Sequence, residues 1–262
     1  MIKDITIGQF IPGNSLIHRL DPRTKIISSI IYIIILFLAE SFWEYLFLGL
    51  FTLSMIIISQ VPLKFVLKGI KPLLLIIIFT LVLHAFLNTG TVIWEWGPFA
   101  LTYEGIRLGL IMAFRLILLV VATSLLTLTT SPIALTDGIE RLLSPFRRFG
   151  VPAHELAMMM TIALRFIPTL LEETEKIMKA QMARGADFES GNLIQRGKNM
   201  IPLLVPLFIN ALRRADELAM AMEARCYRGG DNRTRMKQLK ITSLDYFGYL
   251  TIAIVAAIVF II

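Results

Sequence analysis

Long stretches without a charged residue decide what this chain can fold into. A helix needs roughly 20 apolar residues to cross a bilayer, and these stretches approach or reach that length. The chain is 56% hydrophobic and 17% charged, which leaves too few charges to cover the surface of a soluble domain of this size. We therefore predict an all-α integral membrane protein with about five transmembrane helices. The predicted spans are residues 26–39, 45–61, 73–93, 116–133 and 246–262.

The charges between the predicted spans alternate in sign from loop to loop. The first loop, "ESFWEY", and the third loop, residues 88–105, carry acids and no base. The bases lie in the N-terminal stretch and the second loop, at Lys3, Arg19, Arg23, Lys25, Lys64, Lys68 and Lys71. Because bases collect on the cytoplasmic side of a membrane, we predict a cytoplasmic N-terminus and a C-terminus outside. We expect no cleavable signal peptide, since "MIKDITIGQF" lacks a basic segment that runs into an apolar one.

A long polar segment separates the fourth predicted span from the fifth. It holds 17 of the 26 lysines and arginines of the chain. We predict three regions: a membrane domain (1–133) with four transmembrane helices, a cytoplasmic domain (134–242) and a C-terminal transmembrane helix (243–262). The net charge of +7 fits this topology. The aromatic residues do not alternate with the bases as a stacking platform would need, so we predict no nucleic-acid partner.

Three helical pieces are predicted in the cytoplasmic segment. Residues 131–150 begin with a capping Ser131 before Pro132 and stop at Gly150. Residues 153–185 and 200–230 share another plan, in which an apolar first half that contains proline leads into an amphipathic second half.

The last two pieces end in nearly the same letters, "AQMARGADF" and "AMEARCYRG". Ala183-Arg184 and Ala224-Arg225 lie 41 residues apart. Each end fits ordinary helix termination, with a cation at the negative end of the helix dipole. Each also fits a docking end, because a small residue permits close approach and an arginine binds carboxylates with a rigid fork of donors. Cys226 replaces the glycine of the first end, so the second helix has the alternative of one further turn, to Gly229-Gly230.

The sequence offers no pattern of a catalytic, metal or nucleotide site. The three histidines, His18, His84 and His154, lie far apart, and "GNLIQRGKN" (191–199) departs from a phosphate loop in spacing and final residue. We predict a non-catalytic chain that binds no cofactor and no metal. Within the spans, His84 and Arg115 are ionisable and need partners; Glu104 and His84 are the candidates for Arg115.

In "HRLDPRTK" (18–25), "ARG" (183–185) and "EARCYRGG" (223–230), the chain resembles the transmembrane T component of energy-coupling factor (ECF) transporters over its whole length. The resemblance implies two long, crossing coupling helices whose ends dock on two cytoplasmic ABC ATPase subunits, which bind ATP and Mg. The implied docking residues are Ala183, Arg184, Gly185, Ala224, Arg225 and Cys226. The different third letters, Gly185 and Cys226, favour two different ATPase chains.

The resemblance also implies a third partner, a vitamin-binding S component in the same lipid bilayer, the plasma membrane of a prokaryote. This component would lie on the apolar halves of the long helices, represented by Met158, Met159, Leu164, Pro168, Leu203 and Pro206. The implied function is to transmit ATP-driven movement for the uptake of vitamins or other micronutrients. Two alternatives remain, the permease of a conventional ABC importer and an intramembrane enzyme. Both would bind a small substrate without partners, whereas a coupling subunit would not.

Overall fold

The computed structural model describes residues 10–96, 99–188, 192–230 and 239–261, and most of them are helical. The helices are α1 (Leu16–Arg19), α2 (Pro22–Leu38), α3 (Phe42–Ser59), α4 (Leu63–Ile70), α5 (Leu74–Leu87), α6 (Tyr103–Thr129), α7 (Pro132–Leu143), α8 (Ala153–Ala183), α9 (Leu193–Ala224) and α10 (Ser243–Ile261). Two short strands, β1 (Val92–Trp96) and β2 (Phe99–Thr102), form an antiparallel hairpin. Short 3₁₀ segments join α4 to α5 and extend α7 to Phe149.

Five helical segments are long and apolar enough to cross a membrane, which confirms the prediction of an all-α, multi-pass membrane protein. They are Phe42–Ser59, Leu63–Leu87, Tyr103–Thr129, Ala153–Ala183 and Ser243–Ile261. Four of them correspond to predicted spans. The predicted first span is α2, whose 17 residues extend about 25 Å and fall short of a hydrocarbon core of roughly 30 Å. The additional segment is α8, the least apolar of the five.

The predicted third span, residues 73–93, is wrong at its C-terminal end. Helix α5 ends at Leu87, and β1 begins at Val92. The Glu104 carboxylate accepts hydrogen bonds from the Thr91 backbone N–H (2.7 Å) and hydroxyl, which ties the start of the hairpin to α6. Val92 and Ile93 prolong the apolar run, but β-branched residues suit a strand as well as a span.

Helix α6 begins at Tyr103, well before the predicted span at residues 116–133, and Thr102 caps it through a hydrogen bond from the Gly105 N–H. Gly105 and Gly109 stand four residues apart against α5. A Cβ atom at Gly105 would lie 2.5 Å from the backbone oxygen of His84, and one at Gly109 would lie 3.0 Å from that of Leu81. This spacing of small residues lets two helix backbones approach closely within a membrane.

The segment "HRLDPRTK" ties the start of the chain to two spans. The buried Asp245 carboxylate at the start of α10 accepts hydrogen bonds from the Asp21 N–H (2.7 Å) and from the N–H and hydroxyl of Thr242. The Asp21 side chain caps α2 and pairs with Arg23 at 3.0 Å. Lys25 donates to the backbone oxygens of His18 and of Thr129 at the end of α6. Asp21, Arg23 and Lys25 of this segment therefore have structural partners.

The described residues divide into two compact units. The first, here called the membrane unit, comprises residues 10–138 and 239–261. Its main core joins α2, α3, α6 and α10 through Tyr32, Ile35, Leu36, Leu48, Leu118, Ile252 and Val255. The second, here called the helix-pair unit, comprises residues 139–188 and 192–230 and contains α8 and α9. The three regions predicted from sequence, 1–133, 134–242 and 243–262, stay a prediction.

The predicted pieces of the polar segment are helical. Ser131 caps α7 by accepting a hydrogen bond from the Ala134 N–H, and Gly150 ends the 3₁₀ extension with φ +85°. Helix α8 continues through Pro168 and matches its prediction closely. The predicted start of the third piece at residue 200 is wrong, because α9 begins seven residues earlier, at Leu193. Residues 193–199 of the segment "GNLIQRGKN" therefore supply the first turns of α9.

Candidate functional site: two helix ends

The end of α8 is a tight turn at the Ala-Arg-Gly sequence. The backbone N–H of Arg184 donates to Gln181 O and that of Gly185 donates to Met182 O, each at 3.0 Å. The N–H of Ala186 then returns to Gln181 O at 3.0 Å. Gly185 holds φ +88°, a left-handed conformation in which glycine carries no steric penalty. The side chain of Arg184 is exposed at this turn.

The end of α9 has the same hydrogen bonds, shifted by 41 residues. The N–H groups of Arg225 and Cys226 donate to Met222 O (3.1 Å) and Glu223 O (2.8 Å). The N–H of Tyr227 returns to Met222 O at 3.0 Å, as that of Ala186 returns to Gln181. The alternative of a further helical turn to Gly229-Gly230 is wrong, because Cys226 itself takes the left-handed conformation, with φ +55°.

Both arginines are presented in the same way. Arg184 and Arg225 occupy equivalent positions, the last before the left-handed residue, and both are exposed. Neither guanidinium has a hydrogen bond or an ion pair with another of the residues that the structure describes. Ala183, Gly185, Ala224 and Cys226 are exposed too, so small side chains surround each arginine. Each end can therefore offer a fork of N–H donors to an acidic or carbonyl-lined groove.

The two ends lie far apart because α8 and α9 pack in opposite directions. His154 and Met158, early in α8, contact Tyr227 just after the end of α9. Late in α8, Glu173 binds Arg214 at 2.8 Å and Asn210 at 2.6 Å. Helix α8 has 31 residues and extends about 45 Å, so Arg184 and Arg225 lie at opposite ends of the pair. Between these contacts the helices leave an open apolar cleft of about 430 Å³.

The residues predicted to face a membrane partner are unequally accessible. Met159 and Pro168 are exposed, whereas Met158, Leu164 and Pro206 are half-buried. Leu203 is 5% exposed and offers little surface of its own. Its neighbours on α9 present the apolar surface instead, through Met200, Ile201, Leu204, Val205, Phe208 and Ile209.

The ionisable residues of the spans have structural partners, and the predicted partners of Arg115 are wrong. Arg115 donates to the Tyr45 hydroxyl oxygen at 2.7 Å and to Ala39 O at 2.9 Å, and its guanidinium lies over the Phe37 and Tyr45 rings. Glu104 binds Thr91 instead, and His84 Nδ1 lies 2.9 Å from Thr80 O, one turn back in α5. Nothing in the local sequence marks Tyr45 or Ala39 as a partner, because both lie about 70 residues away.

The contact of His154 with Tyr227 and Glu140 also has no signal in the sequence, since these residues belong to different helical pieces. Within the part of the chain that the structure describes, no three His, Cys, Asp or Glu side chains form a group that could hold a metal ion.

Comparison with known proteins gives matches over nearly the whole chain. The family model described as "Cobalt transport protein" (CbiQ) matches residues 13–236. The chain is 63% identical to the "Energy-coupling factor transporter transmembrane protein EcfT" of Thermosediminibacter oceani, over 97% of this chain and 96% of that protein. It is 62% identical to the protein of the same name in Ruminiclostridium cellulolyticum, over 94% and 92% of the two chains. It is 48% identical to that of Bacillus subtilis, over 99% and 98%.

The relatives carry the name of a transporter's transmembrane protein, and the matched residues include both helix ends described above. This chain therefore belongs to the EcfT family of energy-coupling factor transporter transmembrane proteins, within the wider CbiQ family.

Proposed function

We propose that this chain is the membrane-embedded coupling subunit of an ECF-type ABC importer. In this proposal Arg184 and Arg225 dock on two cytoplasmic ABC ATPase subunits. ATP and Mg bind to those subunits, and this chain binds no nucleotide itself. When the ATPases close on ATP, the two docked helix ends move relative to each other, and α8 and α9 transmit this movement.

One observation carries the proposal: the two helix ends are built alike. Two helices stop with the same three backbone hydrogen bonds and the same left-handed residue, and each presents an exposed arginine. Helix termination alone needs no such agreement, since a helix can end with many residue types and geometries. Because the ends lie far apart, they fit two separate partners better than a single groove. The glycine at one end and the cysteine at the other favour two different ATPase chains.

The apolar surface of α9 supports the second part of the proposal. Leu204, Val205 and Phe208 are exposed on a helix whose later half is polar. Exposed apolar patches of this kind mark contacts with a membrane or with another protein. We propose that a substrate-binding S component lies there and also contacts Met159 and Pro168 of α8, and that the imported substrate is a vitamin or another micronutrient. The chain would lie in the plasma membrane of a prokaryote, with its N-terminus in the cytoplasm and its C-terminus outside.

The test is co-purification of the ATPase subunits with the wild-type chain, Arg184→Ala, Arg225→Ala and the double variant. We expect each single variant to retain less ATPase and the double variant to lose it, while the membrane protein stays folded. Arg213→Ala is the matched control, because Arg213 is exposed on α9 well before its end. Full retention by the double variant would reduce both arginines to ordinary helix termini and would overturn the docking proposal.

A further inference from the structure

The chain folds back on itself directly after the second helix end. Tyr227 lies two residues beyond Arg225, and its hydroxyl oxygen is 3.1 Å from His154 Nε2 and 2.9 Å from Met158 Sδ, both at the start of α8. On the other side of the imidazole ring, His154 Nδ1 lies 3.0 Å from the Glu140 carboxylate of α7. The side chains of His154 and Glu140 are 18% and 11% exposed. A mostly buried chain of polar contacts thus holds the residue next to Cys226.

A second contact holds the same segment at Gly230. A Cβ atom there would lie 2.5 Å from His154 Cδ2 and 2.6 Å from Cγ, closer than real Cβ atoms approach a ring. The preceding Gly229 has φ +89°, a left-handed conformation that favours glycine. The two glycines after the second end therefore do not stop α9; they let the chain wrap against His154. From here on, Glu140, His154, Tyr227 and Gly230 are called the latch.

The hydrogen-bonding partners in the latch fix the orientation of the His154 imidazole ring. A carboxylate can only accept, so His154 Nδ1 carries a proton towards Glu140 and Nε2 faces the Tyr227 hydroxyl. The Tyr227 hydroxyl is then held between His154 Nε2 and Met158 Sδ. Because Arg225 is two residues away, this restricts the backbone that carries it.

The first helix end is held differently. Ala186 occupies the position equivalent to Tyr227, and its methyl group cannot reach a polar partner. The next residue, Asp187, accepts a hydrogen bond through its backbone oxygen from the exposed amide of Asn199. An exposed hydrogen bond competes with water, whereas the latch is largely shielded from it. The two ends thus share a backbone turn, and the second end has in addition a mostly buried polar network that includes the side chain next to its left-handed residue.

We propose that the latch positions the second docking end, so that Arg225 is presented to its partner by an already ordered turn. This inference rests on the proposed docking function. An ordered turn loses less conformational entropy when it binds, so the latch raises affinity without touching the ATPase. In these terms His154 and Tyr227 are positioning residues that act through Arg225.

The test uses the natural cysteine content of the protein. Cys226 is the single cysteine of the chain, is exposed and lies between Arg225 and Tyr227. A spin label on Cys226 of the full chain, in lipid nanodiscs without ATPases, reports the order of the second end. We expect a more mobile label in Tyr227→Phe, which removes one hydroxyl, and in His154→Ala. His154→Gln keeps a donor and an acceptor, and we expect it to restore part of the order.

Two controls separate the latch from general destabilisation. Tyr103→Phe removes a hydroxyl from an exposed tyrosine of the membrane unit and should leave the Cys226 spectrum unchanged. A label at the first end, in Ala186→Cys with Cys226→Gly, should be insensitive to Tyr227→Phe. Identical Cys226 spectra for the wild type, Tyr227→Phe and His154→Ala would overturn the latch. Because Tyr227→Phe changes a single oxygen atom, this outcome stays informative even if His154→Ala fails to fold.

Binding supplies a second readout. We expect Tyr227→Phe to weaken ATPase docking roughly three- to tenfold, and to have no further effect in an Arg225→Ala background, as a double-mutant cycle requires when one residue acts through the other. Additive effects would overturn the positioning role. The two proposals can be contradicted separately. If the Cys226 spectrum is unchanged in the latch variants but the arginine variants lose the ATPases, only the latch is contradicted. ATPases retained by the double arginine variant remove the docking function, whatever the label reports.

Discussion

Among single side chains, Arg115 shows how a cation is accommodated inside a span. Its donors reach the hydroxyl of Tyr45 and the carbonyl of Ala39, which lies just beyond the end of α2, and two aromatic rings flank the guanidinium. Carbonyls at a helix end have no partner within the helix, so the arginine satisfies one of them while it joins α2, α3 and α6. Its role is structural, and no substrate path is needed to explain it.

Replacing Arg115 by methionine removes both hydrogen bonds while keeping much of the apolar stem. Hydrogen bonds to charged groups are worth about 2 kcal/mol, so we expect a lower apparent Tm in detergent, measured by thermal denaturation. Arg107→Met is the control on the same helix, because Arg107 is exposed. Equal Tm values for the two variants would contradict a structural role for Arg115.

A substitution at Gly185 tests whether the proposed docking end of α8 needs its left-handed backbone. No atom lies within 4 Å of the position that a Cβ would take, so Gly185→Ala meets no steric obstacle and changes only the preference for φ +88°. A left-handed residue other than glycine costs about 1 kcal/mol, and we expect a roughly fivefold loss in ATPase binding by titration.

Gly197→Ala is the matched control for Gly185→Ala. Gly197 also has open space around its Cβ position, but it lies inside α9, where alanine favours the helix. Binding that is unchanged in Gly185→Ala would mean that the turn after α8 does not need its left-handed residue for docking.

The sequence predicts some of these side-chain roles and misses others for a physical reason. The equivalence of Arg184 and Arg225 follows from letters that lie next to each other, because a helix end is a local structure. The partners of Arg115 and His154 lie about 70 residues away or on another helix, and only tertiary packing brings them together. The sequence does not predict the end of α9 at Cys226, because residues other than glycine seldom take the left-handed conformation.

The packing of helix α5 against helix α6 depends on two glycines, and the apolar pattern of the sequence does not predict their role. Gly105 and Gly109 face backbone oxygens of α5, so the two helices touch without intervening side chains. Lipid-exposed helices have little hydrophobic reason to associate, and close packing of backbones supplies the attraction.

Gly105→Ala should disturb this packing. The new methyl group would meet the His84 and Ala85 oxygens at 2.5 and 2.9 Å, and overpacking of this kind costs about 1–3 kcal/mol. We expect a lower apparent Tm in detergent. Gly248→Ala in α10 is the control, since its methyl group would make an ordinary contact of 3.4 Å with Thr24. If Gly105→Ala is as stable as Gly248→Ala, the close approach of α5 and α6 is not a source of stability.

The sequence predicts some helix boundaries correctly because a capping residue or a glycine marks them. At other boundaries the prediction is wrong. The end of α8 follows from Gly185, and the start of α7 from Ser131. The predicted start of α9 was too late because Arg196, Gly197 and Lys198 interrupt the apolar pattern. These residues do not break the helix, which begins at Leu193. The hairpin was missed because β1 opens with residues as apolar as the span before it.

For the molecule as a whole, charge-free runs were sufficient to identify a multi-pass helical membrane protein, because apolar runs that approach about 20 residues suit helices, which satisfy their own backbone hydrogen bonds inside a bilayer. The apolar and the polar parts of the sequence form different structural units. The membrane unit holds the apolar core and the segment "HRLDPRTK", and the helix-pair unit carries both proposed docking ends. In the proposed function, uptake requires partner subunits, since the proposed ATP and substrate sites lie on them.

In the proposed mechanism, the two helix ends move relative to each other when the ATPases close. Lys179 and Met220 suit its measurement, because both are exposed, lie 41 residues apart and precede the ends by five residues. Spin labels at Lys179→Cys and Met220→Cys, in a Cys226→Gly background, give the distance between the ends by pulsed electron resonance in the complete transporter. We predict a shorter distance when ATP is trapped on the ATPases, and no change in the Arg184→Ala, Arg225→Ala double variant. An unchanged distance in an otherwise wild-type complex that hydrolyses ATP would contradict the coupling mechanism.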